Sequence, residues 1–544
     1  MSQINQTAAL REWAQVVGAP HVITAASTLK DAETGTFATR HKVPAIVRPG
    51  TRAELQECMR IACRRQIPVY PISSGKNWGY GSRVPASDGC VLLDLGRMNR
   101  IVDFNEDLAY VTVEPGVTQA QLFAFLKERG SKLWMDATGA SPDCSLIGNT
   151  MERGFGHTPY GDHFANSCGL EIVLPQGDVI ETGFARYRNA KTSALHRWGV
   201  GPTVDGLFSQ SNLGIVTRMT IWLMPAPECF QAYYFRCETD EGLTAIVDAL
   251  RPLRMDGTIR SASHIANDYK VLAAVQQYPW EAANGQTPLS RDLMAQFRQE
   301  AKIGVWNGSG ALYGTRAQVK EARRLLRRAL AGKAARLQFL DDRLLRLASR
   351  FAKPYRWFSG WNLERTLAVL KPVYGLMQGI PTDHPLFSTY WRKRTSPPAA
   401  MNPDRDGCGL LWCSPVAPND GRSAQELTGI ASELVLRHGF EPAISITVLS
   451  DRAISCIISL GYDREVAGED EKARRCYHEL LSTLARHGYH SYRLGIDSMN
   501  AMGADSTYSD FLQDVKHLLD PDGILAPGRY IAPRSTRKSL TALA

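Results

Sequence analysis

In the first third of the chain the apolar positions switch between two periods. In "TRAELQECMRIACRRQ", Leu55, Met59 and Ala62 fall on one helical face, behind Thr51 and Glu54 at capping-box spacing. The short apolar runs on either side, "PAIV" and "IPVYPIS", predict strands. A second unit repeats the alternation. "VLLDL", "RIVDF" and "AYVTVEPG" predict strands, and "TQAQLFAFLKERG" a helix with Thr118 and Gln121 as its box and Gly130 as its stop. From Ser141 to Gly156 the periodicity fades, so "SPDCSLIGNTMERGFG" predicts a loop or a close approach of backbone to a ligand. "GLEIVLPQGDVIETG" predicts two strands around a Gln-Gly turn, and "DGLFSQSNLGIVTRMTIWLMP" a turn leading into a strand.

After Pro225 the pattern lengthens. "EGLTAIVDALRPL", "AQELTGIASELVLRHG" and "DEKARRCYHELLSTLARHG" have helical spacing, with "AISITVL" and "SCIISLGY" as strands between them. "RTSPPAAMNPDRDG" predicts a surface loop. The tail "LLDPDGILAPGRYIAP" is rich in turn signals and predicts no helix. No fixed-period repeat is present. The pattern predicts an α+β protein with two cores, changing at about residue 225.

Composition narrows the function classes. The 544 residues, 44% hydrophobic and 22% charged, allow at least two domains. No apolar run reaches the roughly 18 residues of a membrane span, and the N-terminus has no signal-peptide pattern, so the expected location is the cytoplasm. A periplasmic location would require export with a partner. The net charge of +9 is dispersed except in "KEARRLLRRALAGKAARLQFLDDRLLRLASR", which predicts a solvated helix face or, less simply, a docking surface for an acidic partner. Nucleic acid is not expected, because no binding motif accompanies the charge. The eleven cysteines form no C-x-x-C, and no Cys/His spacing suits zinc, which predicts a reduced compartment and no metal.

Three segments could carry chemistry. "PISSGKNWGYGS" (71–82) follows a strand and holds three glycines and Lys76. It suits either a backbone anion cradle or an ordinary turn. In "TPYGDHF", Asp162 is either a turn-capping carboxylate or an acid/base beside a ligand. In "HSYRLGI", Tyr492 and Arg493 would stabilise an anionic oxygen, but neighbours in a regular strand face opposite ways, so both reach one site only through a twist or bulge.

Together, "PISSGKNWGYGS", "VEPGVTQAQL", "IGNTMERGFGHTPYGDHF", "GPTVDGLFSQSNLGIVT", "YRLGIDSM" and "DPDGILAPGR" resemble, in order and spacing, the vanillyl-alcohol oxidase and para-cresol methylhydroxylase flavoenzymes, from about residue 40 to 532. The resemblance implies a two-domain fold: an FAD-binding domain from residues 1–225 and the returning 501–544, and an α+β cap from 226–500 over the flavin. It implies oxidation of a 4-alkylphenol, bound as phenolate, by hydride transfer from the benzylic carbon to flavin N5. The product is a para-quinone methide that takes up water. It also implies a phenolate trio of Tyr80, Tyr492 and Arg493, with Asp162 as the acidic residue near N5. The implied FAD contacts are Ser73, Ser74, Gly75, Lys76, Asn77, Gly79, Pro115, Gly148, Asn149, Gly154, Gly214, Ile215 and Arg529.

The chain departs from that pattern in three places. "GLLWCSP" puts Leu410 where the oxidase branch has its flavin-tethering His. "LFSTYWRK" puts Thr389 at the methylhydroxylase's tethering Tyr, with Tyr390 beside it. Non-covalent FAD is therefore expected, with Tyr390 the alternative tether. The cap strands lack the His and carboxylates of the small-phenol pocket, and Ser445, Ala453, Ile454 and Ile458 stand there instead. A roomier, more apolar substrate pocket at Ser445, Ile454 and Ile458 is expected, suited to phenylpropanoid or lignan-type phenols. The "GPTVDGLFSQSNLGI" and "LRPLRM" segments resemble the methylhydroxylase branch, so a separate cytochrome c is the expected electron acceptor; no C-x-x-C-H is present for a haem on this chain. The alternatives are an oxidase that reduces O2 to hydrogen peroxide and a flavin-binding scaffold without turnover. A homodimer is the expected assembly.

Overall fold

A computed structural model describes residues 3–359, 363–502 and 506–532. Residues 503–505 and 533–544 of the expected returning segment lie outside the described residues. The N-terminal part holds two sheets. The first contains β1 (Val22–Ile23), β2 (Ile46–Val47), β3 (Val69–Ile72) and β4 (Val91–Asp94), in the order β1-β2-β4-β3, with β4 parallel to both β2 and β3. Parallel strands need a crossover, and helix α2 (Arg52–Arg65) supplies it between β2 and β3. Helix α1 (Gln3–Val17) packs on α2, where Trp13 Nε1 donates to the Cys58 carbonyl at 3.1 Å. Thr51 Oγ1 accepts from Glu54 N at 3.1 Å. The Glu54 carboxylate, however, turns back to Gly50 N at 2.8 Å, so only half of the capping box forms.

The second sheet is antiparallel. Strands β5 (Ile101–Asn105), β6 (Tyr110–Val113), β7 (Ser167–Val173), β8 (Val179–Glu181) and β9 (Ile215–Trp222) run in the order β5-β6-β9-β7-β8. Helix α3 (Gln119–Glu128) starts at Thr118, whose hydroxyl accepts from Gln121 N at 3.2 Å. The stretch predicted as a loop contains a short helix, α4 (Leu146–Met151), capped by Ser145 Oγ accepting from Gly148 N at 2.9 Å. Six residues are too few for a helical period to show. The tail returns to the first sheet: Val69 N donates to Ile524 O at 2.8 Å, and Ala526 N to Val69 O at 2.7 Å.

The rest of the chain builds an eight-stranded sheet. It contains β10 (Cys229–Cys237), β11 (Ser263–Asn267), β12 (Trp306–Gly314), β13 (Arg336–Leu340), β14 (Cys408–Cys413), β15 (Ala443–Val448) and β16 (Ala453–Asp463), in the order β13-β10-β12-β11-β15-β16-β14, and Val416–Pro418 also pairs with β16. Helices α5 (Gly242–Met255), α7 (Arg316–Leu330), α8 (Gly421–Arg437) and α9 (Glu469–Arg486) cover one face. Ile246, Leu326, Leu434 and Leu480 from these helices meet Ile446, Cys456, Ile458 and Leu460 in the largest core. The short helix α6 (Asp268–Val275) follows β11 and flanks the opposite face. The basic run is not one solvated helix. It divides into α7, edge strand β13 and a helix over Asp342–Ser359. Its Leu326 and Leu330 are buried, and the Arg323 and Arg327 guanidinium groups lie over Phe339, 4.7 and 5.2 Å from the ring centre. Among the described residues no helix is long and apolar enough to cross a membrane.

Candidate active site

A cavity of about 1000 Å³ runs from the loop after β3 to the uncovered face of the large sheet. At its first end the backbone is the wall. Gly75 has φ +68°, a conformation that favours glycine. Ser74 Oγ accepts from Ser145 N at 3.0 Å and ties the loop to the start of α4. At Gly148 an added Cβ would stand 2.4 Å from Ser73 Oγ, and at Gly214 one would stand 2.5 Å from Ile172 Cγ2. These contacts explain why glycines line the trough. All the expected cofactor contacts line this cavity except Gly79. Gly79 lies behind the wall: its N–H donates to Thr36 Oγ1 at 3.0 Å, its carbonyl accepts from Trp412 N at 3.3 Å, and a Cβ there would meet the indole at 3.0 Å. It permits the close approach of the loop to β14 and does not line the cavity. A long trough walled by backbone at a left-handed glycine, with Lys76 and Arg529 on its lining, fits an extended dinucleotide with two phosphates.

Tyr80, Tyr492 and Arg493 come together in the cavity wall. Arg493 lies over the Tyr80 ring at 4.3 Å, donates to Asn77 Oδ1 at 2.5 Å, and holds its Nε 3.4 Å from Glu152. Tyr80 shares a 2.5 Å hydrogen bond with Ser414 Oγ and meets Trp412 edge to face at 5.6 Å. Tyr492 and Arg493 both reach the cavity because they are not in a regular strand. Ser491 makes an isolated bridge with Pro415, and the chain then bends. Burial, reinforced by Tyr492, pushes the Tyr80 phenol well above its usual value, and Arg493 offsets only part of this. Burial likewise raises Tyr492 against the opposing pull of Arg493. Both are therefore hydrogen-bond donors at neutral pH. Burial disfavours the Glu152 charge, but Arg529 and Arg493 outweigh it and lower the carboxyl. Glu152 pairs with Arg529 and accepts from Tyr530 Oη at 2.8 Å. Two guanidinium groups against one carboxylate leave the cluster with one net positive charge.

Asp162 is not part of this site. It is exposed, bridges Phe155 through the backbone, and spends its carboxylate on Ala165 N at 2.9 Å. That is the turn-capping role. Its neighbour His163 is also engaged, with Asp136 at 2.6 Å and Asn149 at 2.7 Å. Two histidines do face the cavity here, His157 and His264, with ring centres 4.4 Å apart and planes tilted by 39°, one from each half of the chain. His157 Nδ1 and His264 Nε2 have no hydrogen-bond partner among the described residues. Burial holds both neutral, with His264 pushed down to about 4 and His157 well below its usual value.

The cavity side of the large sheet is lined with small residues. Ala266 pairs with Ser445, Ser445 with Ile457, Ala443 with Ser459, and Leu410 with Gly461. Ser445 faces the cavity as expected, but Ile454 and Ile458 do not. They point into the helix-covered core, and Ile457 lines the cavity instead. A one-residue shift along a strand changes the face. Leu410 and Thr389 line the cavity, whereas Tyr390 is turned away, buried, and donates to Asp406 Oδ2 at 2.6 Å. Trp78 lines the cavity and is fixed by its neighbours. Its ring packs with Leu386 and Leu410, and its Nε1 donates to Asp404 Oδ2 at 3.1 Å in the Pro-rich loop. Sequence reasoning missed Glu152, His157, His264 and Lys270. Glu152 and His157 lie inside the "IGNTMERGFGHTPYGDHF" motif; His264 and Lys270 sit in an ordinary strand and helix with nothing local to mark them.

An FAD-binding domain model matches residues 43–183. The chain is 45% identical over 524 residues to 1'-carboxy-chondrochloren decarboxylase of Chondromyces crocatus, covering 96% of each chain. It is 31% identical over 501 residues to the 4-cresol dehydrogenase (hydroxylating) flavoprotein subunit of Pseudomonas putida, covering 90% of this chain and 88% of that one. A solved structure of 4-ethylphenol oxidase from Gulosibacter chungangensis, in complex with isoeugenol, superposes with a TM-score of 0.89 at 28% identity, over 98% of each chain.

Proposed function

The chain belongs to the vanillyl-alcohol oxidase/para-cresol methylhydroxylase family of FAD-dependent oxidoreductases, and from that premise we propose that it oxidises a 4-alkylphenol with a bulky para substituent, bound as the phenolate. The observation that carries this is the net positive cluster of Arg493, Arg529 and Glu152 beside the buried Tyr80 and the half-buried Tyr492, both protonated. Ser73–Asn77, Gly148 and Gly214 would hold FAD, which would supply a two-electron acceptor for the substrate's benzylic hydride. Tyr80 and Tyr492 donate hydrogen bonds to the phenolate oxygen, and Arg493 supplies a fixed charge. A phenolate pushes electron density toward the para carbon, so holding the substrate ionised lowers the barrier to hydride loss. The substrate becomes a para-quinone methide, which takes up water at the benzylic carbon. His157 and His264, neutral and each with an unengaged ring nitrogen, accept hydrogen bonds from that water and orient it, a role outside the reach of Asp162, and the water's proton ends on the product's ring oxygen as a phenol. The small residues on the sheet face support a substituent larger than methyl.

The relative named as a carboxy-substrate decarboxylase favours a second outcome for the same intermediate. If the carbon next to the benzylic position bears a carboxylate, the C–C bond to it breaks. Its electron pair returns to the ring as phenolate, CO2 leaves, and a 4-vinylphenol remains. Loss of one hydride and one CO2 balances this reaction without a further reagent. The flavin would be held without a covalent link, since Leu410 and Thr389 line the cavity without an imidazole or phenol to form one and Tyr390 is turned away from it. Electrons then pass to a separate cytochrome c, with O2 the competing acceptor. Anaerobic addition of 4-alkylphenols of rising size, followed by analysis for alcohol, vinylphenol and CO2, tests the reaction. Bleaching of the flavin with the larger phenols is the expected result; a flavin unchanged by all of them defeats it. Turnover with O2 against turnover with added cytochrome c identifies the acceptor.

A further inference from the structure

The cavity has a second cationic end. Lys270, on α6, lines it and donates from Nζ to Ser459 Oγ at 3.2 Å. Among the described residues it forms no ion pair. Two other lysines withdrawn from solvent are neutralised: Lys393 by Asp463 and Glu465, both at 2.8 Å, and Lys516 by Asp520 at 2.7 Å. Glu441, which lines the same cavity, is already held by Arg392 at 2.9 Å. Burial, with no acid offsetting it, pushes the Lys270 ammonium down to about 8. Lys270 is half-buried, and a partly desolvated cation facing a cavity without a counter-charge favours an anionic ligand there.

Its place in the cavity indicates which ligand. Ser459 pairs with Ala443 on one side and Trp412 on the other. The Trp412 ring meets the Tyr80 ring at 5.6 Å. Trp412 thus connects the two groups: its ring touches Tyr80, and its backbone pairs with Ser459, which holds Lys270, while the small Ser445, Ser459 and Gly461 line the same cavity. The ammonium has N–H groups to spare after its bond to Ser459, and the Ser459 hydroxyl, which accepts that bond, can donate its own hydrogen. An ammonium and a hydroxyl side by side match the two oxygens of a carboxylate.

We propose that Lys270 and Ser459 bind a carboxylate carried on the para side chain of the phenol, so that the cavity selects a 4-hydroxyphenyl compound anionic at both ends. This rests on the reading of the cavity as a phenol-oxidising site. The test titrates the holoenzyme, by its flavin spectrum, with 3-(4-hydroxyphenyl)propanoate, with 4-propylphenol and with 3-phenylpropanoate, which cannot be oxidised as a phenol. Titrations of the reactive phenols use initial anaerobic rates. In Lys270→Met, binding of both carboxylates weakens on the order of 10- to 100-fold, the loss of a hydrogen bond to a charged partner. Binding of 4-propylphenol stays within about twofold, and Lys270→Arg restores the carboxylates. Equal weakening of all three ligands, or a wild-type protein without preference for the carboxylates, overturns the proposal. If 3-phenylpropanoate binding depends on Lys270 while no phenol bleaches the flavin, the anion site stands and the phenol reading alone fails.

Discussion

Replacing Arg493 by methionine removes the charge on which, in the proposed function, phenolate binding depends. In the wild type its guanidinium donates to Asn77 at 2.5 Å, covers the Tyr80 ring at 4.3 Å and stands 3.4 Å from Glu152. Breaking a buried pair usually costs about 3–5 kcal/mol because a bare charge is left behind. Here Glu152 keeps Arg529 and Tyr530, so the fold loses little beyond the charged bond to Asn77, about 1.5–3 kcal/mol. The cluster falls from one net positive charge to none. A hydrogen bond to a charged partner is worth about 1.5–3 kcal/mol, so phenolate binding weakens roughly 10- to 150-fold. Anaerobic stopped-flow reduction with 4-propylphenol, followed across pH, isolates the effect. In the wild type the bound phenol is ionised and the rate changes little between about pH 6 and 9. In the variant the substrate must ionise unaided, with a phenol pKa of about 10, so the rate climbs with pH across that window. Tyr80 and Tyr492, both raised by burial, stay protonated there and do not supply the slope. A variant with the wild-type rate and a flat profile would refute the role of Arg493.

Tyr492→Phe keeps the charge and loses one donor, so flavin reduction slows by about 5- to 30-fold, with unchanged rates counting against the trio. Ile457 and Ile458 separate cavity from core. Ile457→Phe lowers turnover of large phenols with little change in thermal stability, whereas Ile458→Ala costs about 2–5 kcal/mol in urea unfolding; the reverse pattern would place the wrong face on the cavity. Burial holds His264 neutral with its pKa at about 4, below the unfolded value of about 6.5. The unfolded chain therefore takes up the proton first. The stability contributed above pH 6.5 falls away as pH drops toward 4, by up to about 3 kcal/mol. His264→Gln should flatten that part of a urea-unfolding series, and an unaltered slope contradicts the assignment. Acid precipitation of the holoenzyme should leave the yellow colour in solution, and Tyr390→Phe should not alter this; colour retained in the pellet would mean a covalent flavin.

Local chemistry made the helices legible. Thr51 and Thr118 cap the helices they were expected to cap because an N-cap needs only neighbours a few residues away. The meeting of Tyr80, Tyr492 and Arg493 in one cavity wall was legible through motif order, although residues 80 and 493 meet only in the folded chain. The expected obstacle to Tyr492 and Arg493 sharing a site disappears because the chain bends after Ser491. Asp162 was misplaced because its position beside His163 says nothing about direction, and the Phe155 bridge turns its carboxylate outward. Ile454 and Ile458 failed for a register reason: alternation along β16 makes a one-residue error a change of face. Lys270 and His264 were invisible, since a lysine in a helix and a histidine in a strand become unusual only once burial and missing partners are known.

The central claim is that the para hydroxyl, ionised by Arg493 and its neighbours, drives oxidation of the alkyl carbon. Anaerobic addition of 4-propylphenol and of its methyl ether, which cannot ionise, to the same holoenzyme tests it directly. The phenol should bleach the flavin and the ether should leave it yellow; equal bleaching by both would contradict the phenolate mechanism.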